Sequence, residues 1–507
     1  MIDIQGRKLT IRMRYDPAIH PIIKALPGAK WNPESKTWTI PIASCVYLQP
    51  LLDAGVPMSD AARDAAKPWM RNDVVSPEQF TETLPDGRTP MHHQQTAAAQ
   101  IAAHKYKILA DDMGLGKTLT ALLAARAIGH PVHVLCPPSL RDNWIREAAG
   151  AGMTIQVHSW GKVPRTLPSP YTLIADEAHY AQSGKKSQRG ANFLAIADDA
   201  DAVICATGTP MRNGRPSNIW PLLRAVRCPI ASNRAWFERR YCDAKPTRFT
   251  QWDATGSSNE AELHERMAPY TIRRTKADCL DLPPKTRIPR PVEQTAEAAS
   301  IYAATFSRLM QEHEARIAQG LILGDAHAFV AFSAARHAAS IAKVTAACEL
   351  VDEILEQGGS VVVFTEFRAS AGTIAGQYAA TSCLLTGDTP TDERIRLVDD
   401  FQSGRRRVFV STIRAGGVGI TLTKAETVIL LDRPLTPGDT EQAEDRLHRI
   451  GQRSAVTAVW LQWGDVDKVN DARLDAKTDV IEVVVNGRKR KIRRDISDKD
   501  LAEIIGF

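Results

Sequence analysis

The sequence predicts an α/β protein with two parallel sheets, a helical segment between them and a small α+β domain at the N-terminus. Strand-like and helix-like segments alternate from Ile108 to about Thr207 and again from Ser360 to Asp432, a pattern typical of consecutive βαβ units. Residues 293–357 are Ala-rich, with Met and Leu at helical spacing. Residues 1–57 instead mix short strands, a hairpin and two helix-like stretches.

Composition narrows the classes of protein to which the chain can belong. Its 507 residues suffice for about three domains of ~150 residues. No apolar run approaches the ~18 residues of a membrane span, and the first residues lack the pattern of a signal peptide, so no membrane partner is expected. The eight cysteines are scattered without a C-x-x-C pair, which indicates a reducing compartment and neither a disulfide framework nor a zinc site.

The N-terminal stretch begins with a half-buried strand over Lys8–Arg14, followed by a helix that Pro17 opens and a hairpin around Asn32–Ser35. Trp31 and Trp38 flank this hairpin. They either form the core of a small domain that has few other large apolar residues, or one of them stacks on an unpaired base beside the neighbouring cations. Residues 58–85 contain several prolines and little periodicity, and are predicted to be a linker.

The segment Ile108–Thr118 has the layout of a phosphate cradle. An apolar strand enters a glycine-containing turn, and Lys117 and Thr118 open a helix, whose N-terminal N–H groups and dipole favour phosphate. Lys117 would reach the β- and γ-phosphates and the Thr118 hydroxyl would ligate Mg²⁺. Asp111 stands where the strict motif has its first glycine, so a glycine-rich turn without a nucleotide is the alternative.

A second chemical motif follows the strand that starts near Tyr171. That strand ends in Asp176 and Glu177, and its position after a phosphate loop suits nucleotide hydrolysis: Asp176 would hold Mg²⁺ through water, and Glu177 would orient and deprotonate the attacking water. Upstream of the loop, Gln94 is the candidate for the adenine edge, in preference to Gln95; a solvated helix start is the alternative.

Arginines near the end of the second series of strands form a third candidate group. On a continuous helix, Gln442, Arg446 and Arg449 lie at i, i+4 and i+7 and share one face, from which arginines can reach a γ-phosphate. A surface salt-bridge face has the same spacing.

Near the C-terminus, residues 480–494 are predicted to be a hairpin that turns at Asn486-Gly487 and has a cationic second strand, and residues 498–505 a short helix. That strand either contacts DNA or keeps the chain soluble.

Taken in order, these motifs resemble the two-lobed motor of superfamily-2 helicases, and within it the Swi/Snf-type ATPases. The resemblance covers residues 90–452. The segments that carry it are Gln94, 110–118, 138–140 with Trp144 and Glu147, 176–179, 207–210, 363–367, 411–423 and 442–452. The N-terminal stretch resembles the HARP domain of the annealing helicases, with a basic strand, a Pro-led helix and a hairpin bounded by Trp31 and Trp38.

The resemblance implies two RecA-like lobes that hydrolyse ATP with Mg²⁺ and step along DNA. It implies catalytic roles for Lys117, Asp176, Glu177, Gln442, Arg446 and Arg449. It implies nucleotide contacts by Gln94, Asp112, Met113, Gly114, Leu115, Gly116, Lys117, Thr118 and Gly417, with Thr118 and Asp176 serving the metal. Contacts to the nucleic acid, or coupling to it, are expected from Pro138, Ser139, Thr207, Thr209 and Arg414, besides Trp31 and Trp38.

The expected organisation is a HARP-like domain (1–57), a linker (58–85), lobe 1 with a helical protrusion (86–285), a helical insertion (286–345), lobe 2 (346–465) and a C-terminal extension with a basic hairpin (466–507). The expected function is an annealing helicase acting on duplex or forked DNA, with single-stranded DNA as a further option. The alternatives are a strand-separating DNA or RNA helicase and a motor that displaces proteins from DNA.

One departure from the family pattern bears on function. Gln182 and Ser183 stand where the family usually has a Lys-Asn pair, and the sequence offers no room for chromatin-reading modules. Nucleosome remodelling is therefore not expected. A compact prokaryotic or viral enzyme, cytoplasmic or nucleoid-associated, is expected instead.

Overall fold

The computed structural model describes residues 1–6, 8–26, 28–70, 76–246, 252–319, 327–416 and 419–493. The chain forms two compact units. Unit 1 comprises residues 1–211, 215–275 and 482–489, and unit 2 comprises residues 212–214, 276–481 and the chain from Arg490 onward. Among the described helices, none combines the length and the apolar character that crossing a membrane requires.

Unit 1 begins with a small domain built on an antiparallel sheet of order β1-β2-β4-β3. Its elements are β1 (Ile2–Gln5), β2 (Lys8–Ile11), α1 (His20–Ala25), β3 (Lys30–Asn32), β4 (Thr37–Pro41), α2 (Gln49–Asp53) and α3 (Asp60–Met70). The predicted hairpin is confirmed, with Trp31 paired to Trp38 across β3 and β4. Alternate residues Leu9, Ile11 and Ile40 are buried, as expected for a sheet with one covered face.

The predicted linker is wrong over its first part. Residues 60–70 form α3, and Ala62 and Ala66 of this helix are fully buried in the same apolar core as Leu9 and Ile11. The prolines suggested a break, but the alanines supply a narrow apolar stripe that the sheet covers. The small domain therefore extends to at least Met70.

The rest of unit 1 is a parallel α/β lobe. Its six-stranded sheet has the order β10-β5-β9-β8-β6-β7. The strands are β5 (Tyr106–Leu109), β6 (Val132–Cys136), β7 (Gln156–Ser159), β8 (Thr172–Asp176), β9 (Ala202–Ala206) and β10 (Thr271–Ile272). The helices are α4 (His92–His104), α5 (Lys117–Ile128), α6 (Arg141–Gly150), α7 (Gln188–Asp199), α8 (Trp220–Ala225), α9 (Arg234–Tyr241) and α10 (Glu260–Met267).

Strands β5, β9 and β8 lie side by side in the middle of this sheet. Each is buried along its whole length, as is typical of parallel strands covered on both faces, although β5 includes Lys107 and β8 ends in Asp176. Because parallel strands point the same way, the residues that follow Leu109, Asp176 and Ala206 emerge at one edge of the sheet. This edge carries the candidate site.

Unit 2 is a second parallel α/β lobe, so the predicted fold class is confirmed. Its six-stranded sheet has the order β11-β16-β15-β12-β14-β13. The strands are β11 (Lys285–Pro291), β12 (Val361–Thr365), β13 (Ser382–Leu385), β14 (Val408–Thr412), β15 (Thr427–Leu430) and β16 (Val456–Gln462). The helices are α11 (Lys276–Cys279), α12 (Ala296–Ala318), α13 (His327–Ala342), α14 (Val344–Glu356), α15 (Arg368–Gln377), α16 (Thr391–Gln402), α17 (Ile413–Gly416), α18 (Pro437–Glu444) and α19 (Gly464–Val484), whose last residues belong to unit 1.

Two expectations about secondary structure in this part of the chain are wrong. The predicted helical insertion starts instead with β11, an edge strand parallel to β16 that tolerates Pro289 and Pro291 because one side of an edge strand needs no ladder hydrogen bonds. The predicted C-terminal hairpin is also wrong, because α19 continues through Val484 and so includes the residues that were predicted to form the first strand of the hairpin. The predicted helix at 498–505 lies outside the described residues.

A buried lysine joins the helices of unit 2 to its sheet. The side chain of Lys343 is fully buried, and its Nζ donates to Asp467 Oδ2 at 2.7 Å and lies 3.5 Å from Asp432 Oδ1. Asp467 also accepts a hydrogen bond from the backbone N–H of Trp463 at 2.7 Å. Removing one partner of such a pair leaves an uncompensated buried charge, which is far costlier than losing a surface ion pair.

We expect Asp467→Ala to lower the free energy of unfolding of unit 2 by about 3–5 kcal/mol, because Lys343 loses its closest counter-charge. The matched control is Asp465→Ala, two residues earlier, whose carboxylate is 74% exposed and pairs with the exposed Lys468. Its effect should stay within about 0.5 kcal/mol. Denaturant titration followed by circular dichroism measures both. Equal midpoints for the two variants would contradict the assigned burial of Lys343.

Candidate active site

The loop between β5 and α5 has the backbone of a phosphate cradle. Gly114 and Gly116 adopt positive φ angles of +89° and +75°, which glycine alone reaches without strain. A Cβ at Gly116 would lie 2.2 Å from Gln94 Nε2, so a larger residue at this position would displace the Gln94 amide. The loop feeds directly into a 12-residue helix that begins at Lys117. The first N–H groups of a helix lack partners within the helix, which makes this position suited to phosphate.

Lys117 is anchored within this loop. Its Nζ donates to the carbonyl oxygens of Asp111 at 2.9 Å and Asp112 at 3.0 Å. Burial lowers the pKa of Lys117, while the charges of Glu177, Asp111 and Asp176 act to raise it. The ammonium thus lies among acidic groups of the sheet edge, and its bonds to neutral carbonyls are ones that phosphate oxygens can replace.

The structure distinguishes the two candidate glutamines. Gln94 is buried against the loop, where its Oε1 accepts from the Met91 N–H at 2.9 Å and its Nε2 lies 3.4 Å from Leu115 O. Gln95 instead donates to Pro90 O at 2.7 Å. Gln94 is therefore the glutamine that touches the phosphate loop, and it also caps the start of α4.

Asp111, the departure from the glycine motif, has a structural explanation that the sequence did not reveal. Its side chain is fully buried and both carboxylate oxygens accept from the guanidinium of Arg274, Oδ1 from Nε at 3.0 Å and Oδ2 from the second terminal nitrogen. The same guanidinium donates to the carbonyl of His93. A buried acid at this position signals a need for a cation, but Arg274 lies 163 residues away in sequence.

Asp176 and Glu177 follow β8 at the same sheet edge. Trp144 Nε1 donates to Asp176 Oδ2 at 2.8 Å, and the Glu177 N–H donates to Oδ1 at 3.0 Å. Burial, and next the neighbouring charge of Glu177, raises the pKa of Asp176 to about 6. Glu177 has a φ angle of +49°, which turns the chain sharply after the strand and is uncommon for a residue other than glycine.

A histidine links Glu177 to the next loop. His179 Nδ1 lies 3.1 Å from Glu177 Oε2 and 3.3 Å from Thr207 Oγ1, and Thr207 Oγ1 also accepts from the Thr209 N–H at 3.1 Å. A Cβ at Gly208 would lie 2.6 Å from Met113 Cγ and 3.4 Å from Lys117 Nζ. The loops after β5, β8 and β9 are therefore in contact at one place.

This network places Thr207 and Thr209, the two threonines of the predicted nucleic-acid or coupling contacts. Both side chains are buried, at 0% and 8% exposure. The Thr207 hydroxyl is within hydrogen-bonding distance of His179. Both side chains are held in this buried network, and contact of Thr207 and Thr209 with nucleic acid stays a prediction. Their position suits a coupling role, because they join the acidic motif to the loop after β9.

In unit 2, the prediction of one helix face for Gln442, Arg446 and Arg449 is wrong, because α18 ends at Glu444. Two of the following residues bond three positions back, the Arg446 N–H to Ala443 O and the Leu447 N–H to Glu444 O, whereas the His448 N–H bonds four back to Glu444 O. Residues three apart eclipse in such a turn, and Arg446 and Arg449 both donate to Ile420 O, at 3.4 and 3.1 Å. The two arginines thus converge by another route.

Acidic residues at the end of α18 explain why the helix stops there. Glu444 pairs with Lys285 and Arg287 of β11 at 3.1 and 2.7 Å, and Asp445 pairs with Lys276 and Lys285 at 2.9 and 3.1 Å. The Glu444 side chain is fully buried, and that of Asp445 nearly so. These pairs hold consecutive side chains toward β11, which favours the tighter turn over another α-helical turn.

The remaining predicted residues are placed as follows. Pro138 and Ser139 are exposed in a 3₁₀ turn after β6, and Arg414 is exposed on α17 after β14. Gly417 lies outside the described residues. Trp31 is 47% exposed, whereas Trp38 packs against the core of the small domain, with their ring centroids 5.5 Å apart.

Three arginines of the basic C-terminal run pair with acids of α19. In unit 2, Arg490 and Arg493 both pair with the buried carboxylate of Asp479, at 2.8 and 2.7 Å, and in unit 1 Arg488 pairs with Glu482 at 2.9 Å. Hydrogen bonds from Arg493 hold the pKa of Asp479 below its usual range. Much of this charge therefore stabilises the helix locally, and Arg494 lies outside the described residues.

Comparisons with known proteins agree with these features. The model of the SNF2-related domain matches residues 170–339, and that of the helicase conserved C-terminal domain matches residues 342–451. The protein named DNA annealing helicase and endonuclease ZRANB3 is 28% identical over 452 residues in Bos taurus, covering 79% of this chain and 41% of the relative. The Mus musculus protein of that name is 29% identical over 444 residues, covering 78% of this chain and 40% of the relative.

A Caenorhabditis elegans relative, a homologue of SWI/SNF-related matrix-associated actin-dependent regulator of chromatin subfamily A-like protein 1, is 27% identical over 528 residues, covering 91% of this chain and 72% of the relative. Among solved structures, the Sulfolobus solfataricus SWI2/SNF2 ATPase core in complex with dsDNA aligns with a TM-score of 0.37 and 20% identity, over 84% of this chain and 97% of that one. The chain spans about two fifths of the length of the mammalian relatives. The chain is thus similar to the SNF2-related domain over residues 170–339 and to the helicase conserved C-terminal domain over residues 342–451, and the structure shows a parallel α/β sheet in each of its two units.

Proposed function

We propose that this chain is an ATP-dependent DNA translocase that hydrolyses ATP to move on duplex or forked DNA and to remodel or reanneal it. The observation that carries the proposal is the meeting of three loops at one sheet edge. They bring together the ammonium of Lys117, the acids Asp176 and Glu177, and the His179–Thr207 link. Phosphoryl transfer depends mainly on positioning and on charge stabilisation, which such an arrangement supplies.

The residues present fit a nucleotide and Mg²⁺. Positive φ angles at Gly114 and Gly116 shape the loop, a Cβ at Gly116 would press on the Gln94 amide, and the N-terminus of α5 favours phosphate. Oxygen ligands suit Mg²⁺, and the half-buried Thr118 and the buried Asp176 carboxylate would serve it, the latter through water. When bound, the metal would neutralise charge on the phosphates. Asp112, Met113, Gly114, Leu115 and Gly116 would line the phosphates, with Gln94 and Gly417 as further nucleotide contacts.

The chain's own groups then have distinct roles. Lys117 would exchange its carbonyl partners for phosphate oxygens, and Glu177 would orient the attacking water and accept its proton. His179 would hold the Glu177 carboxylate in place. Because the same ring nitrogen contacts Thr207 and Thr209, a movement of Glu177 would also move the loop after β9. Gln442, Arg446 and Arg449 would contribute polar and cationic groups to the γ-phosphate, because guanidinium is always charged and geometrically matched to phosphate.

DNA is the polymer that the relatives' names and the small domain support. The names of the mammalian relatives describe them as DNA annealing helicases. In the HARP-like domain of this chain, the ring of Trp31 is 47% exposed and is therefore accessible for stacking on a base. Pro138, Ser139 and Arg414 are exposed at strand ends, where they would contact the phosphate backbone. An enzyme of this kind works in the DNA-containing compartment, either cytoplasm or nucleoid.

The proposal is tested by measuring ATP hydrolysis with single-stranded, duplex and forked DNA and with structured RNA. We expect forks to stimulate most, and Trp31→Ala to weaken fork binding by about tenfold, because stacking on an aromatic ring contributes ~1–3 kcal/mol per base. Phe329→Ala, which removes a comparably exposed ring from unit 2, is the control and should leave fork binding unchanged. Equal stimulation by duplex and fork would leave a general DNA translocase, and stimulation by RNA alone would refute the proposal.

Glu177→Gln should reduce hydrolysis by at least about 10²-fold, because an amide cannot accept the proton of the attacking water. Binding of nucleotide and of DNA should persist, as measured by fluorescence titration. Glu82→Gln removes an exposed carboxylate from the same unit and should hydrolyse ATP at the rate of the unaltered protein. Undiminished turnover in the Glu177→Gln protein would show that the water is activated elsewhere.

Arg449→Ala should lower the turnover number about 10³-fold, as the loss of an arginine finger commonly does in phosphoryl transfer. Nucleotide affinity should change much less, since the guanidinium would act mainly on charge that develops in the transition state. Arg405→Ala, which removes a 64% exposed arginine of the same unit, is the control. A turnover number within twofold of the unaltered protein would remove Arg449 from the site.

A further inference from the structure

Arg273 connects the phosphate loop to a part of the chain that the proposed mechanism does not use. Its guanidinium has three partners: the carbonyl of Ala110 at 2.7 Å, the carboxylate of Asp112 at 2.7 Å and the side-chain oxygen of Asn486 at 2.9 Å. The first two are loop residues on either side of Asp111. The third comes from the C-terminal segment, residues 482–489, which belongs to unit 1.

The C-terminal segment is built to hold Asn486 in place. Asn486 Nδ2 donates to Glu482 Oε1 at 2.9 Å, and His264 Nδ1 donates to the carbonyl of Val484 at 2.9 Å. Gly487 has a φ angle of +67°, and a Cβ there would lie 2.5 Å from His264 Nε2. The Asn-Gly pair, which the sequence suggested as a hairpin turn, serves here to seat the segment on His264 and Arg273.

The contacts continue from Arg273 to the ammonium of Lys117. The backbone carbonyl of Asp112, whose side chain is paired with Arg273, accepts a hydrogen bond from Lys117 Nζ at 3.0 Å. Arg273 is only 17% exposed and Asp112 22%, so water screens this pair little. Asn486, Arg273, Asp112 and Lys117 thus form one continuous chain of polar contacts.

We propose that Arg273 is a positioning residue of the phosphate loop and that the C-terminal segment sets its position through Asn486. The segment would thereby control how tightly the loop binds the β- and γ-phosphates. A displaced segment leaves Arg273 with a missing partner and the loop less well ordered before the nucleotide arrives. This inference rests on the proposed function, because it concerns nucleotide binding at the same loop.

The test measures nucleotide affinity in the full chain by titration with a fluorescent ATP analogue, together with KM and kcat for ATP on DNA. Arg273→Ala should weaken binding about tenfold, which corresponds to ~1.4 kcal/mol. Asn486→Ala should weaken it about threefold, because one hydrogen bond to a charged group is lost. In both variants KM should rise while kcat at saturating ATP stays within about twofold, since ground-state binding is what changes.

The double variant separates positioning from two independent local effects. If Asn486 acts through Arg273, Asn486→Ala added to Arg273→Ala should cause no further loss. Lys489→Ala, an exposed residue of the same segment, is the matched control and should bind like the unaltered protein. Thermal melting confirms that the variants are folded.

Unchanged nucleotide affinity in the Asn486→Ala protein, or additive losses in the double variant, would overturn the inference. Failure of the proposed function has a different signature. In that case the unaltered protein hydrolyses no ATP with any DNA, although its nucleotide affinity is measurable and responds to both substitutions as described.

Discussion

The candidate site depends on one geometric constraint, the common direction of β5, β9 and β8. Because neighbouring parallel strands end at the same edge, three loops that are far apart in sequence are brought into contact there. The contact is tight at Gly208, where a Cβ would lie 2.6 Å from Met113 Cγ and would displace that side chain. This edge of an open parallel sheet is also where α/β proteins generally bind ligands.

The second organising feature is the compensation of buried charge. Asp111 and Asp176 are buried carboxylates at the sheet edge, and both accept hydrogen bonds. Arg274 donates to Asp111, and Trp144 and a backbone N–H donate to Asp176. The two are balanced differently. Asp111 has a full counter-charge and is structural, whereas Asp176 has neutral donors and a raised pKa, as befits a group that would meet a cation.

The same principle shapes unit 2. Lys343 is balanced by Asp467 and Asp432 inside the lobe, and the acids Glu444 and Asp445 are balanced by cations of α11 and β11. The latter pairs end α18 early, and the tighter turn that follows brings Arg446 and Arg449 to a shared acceptor. Ion pairs here determine where side chains point, as well as contributing to stability.

The sequence by itself determined the features that reside in short segments. The alternation of segments from Ile108 to about Thr207 predicted buried parallel strands, which the structure places at Val132–Cys136 and Ala202–Ala206 among others. The positions of Lys117, Asp176 and Glu177 after apolar strands likewise led to the prediction of a phosphate site. These signals are local because strand periodicity and loop chemistry are set by adjacent residues. The class of the small domain and its Trp31–Trp38 hairpin were predictable for the same reason.

Only the tertiary structure decided which distant residues complete the site. Arg274 reaches Asp111 across 163 positions and Asn486 reaches Arg273 across 213, and no local pattern specifies such partners. Likewise, β11 is a strand because β16 offers it an edge, α3 is a helix because the small domain covers Ala62 and Ala66, and α18 stops because β11 supplies cations. Each outcome depends on packing and charge balance between segments, which local propensity cannot encode.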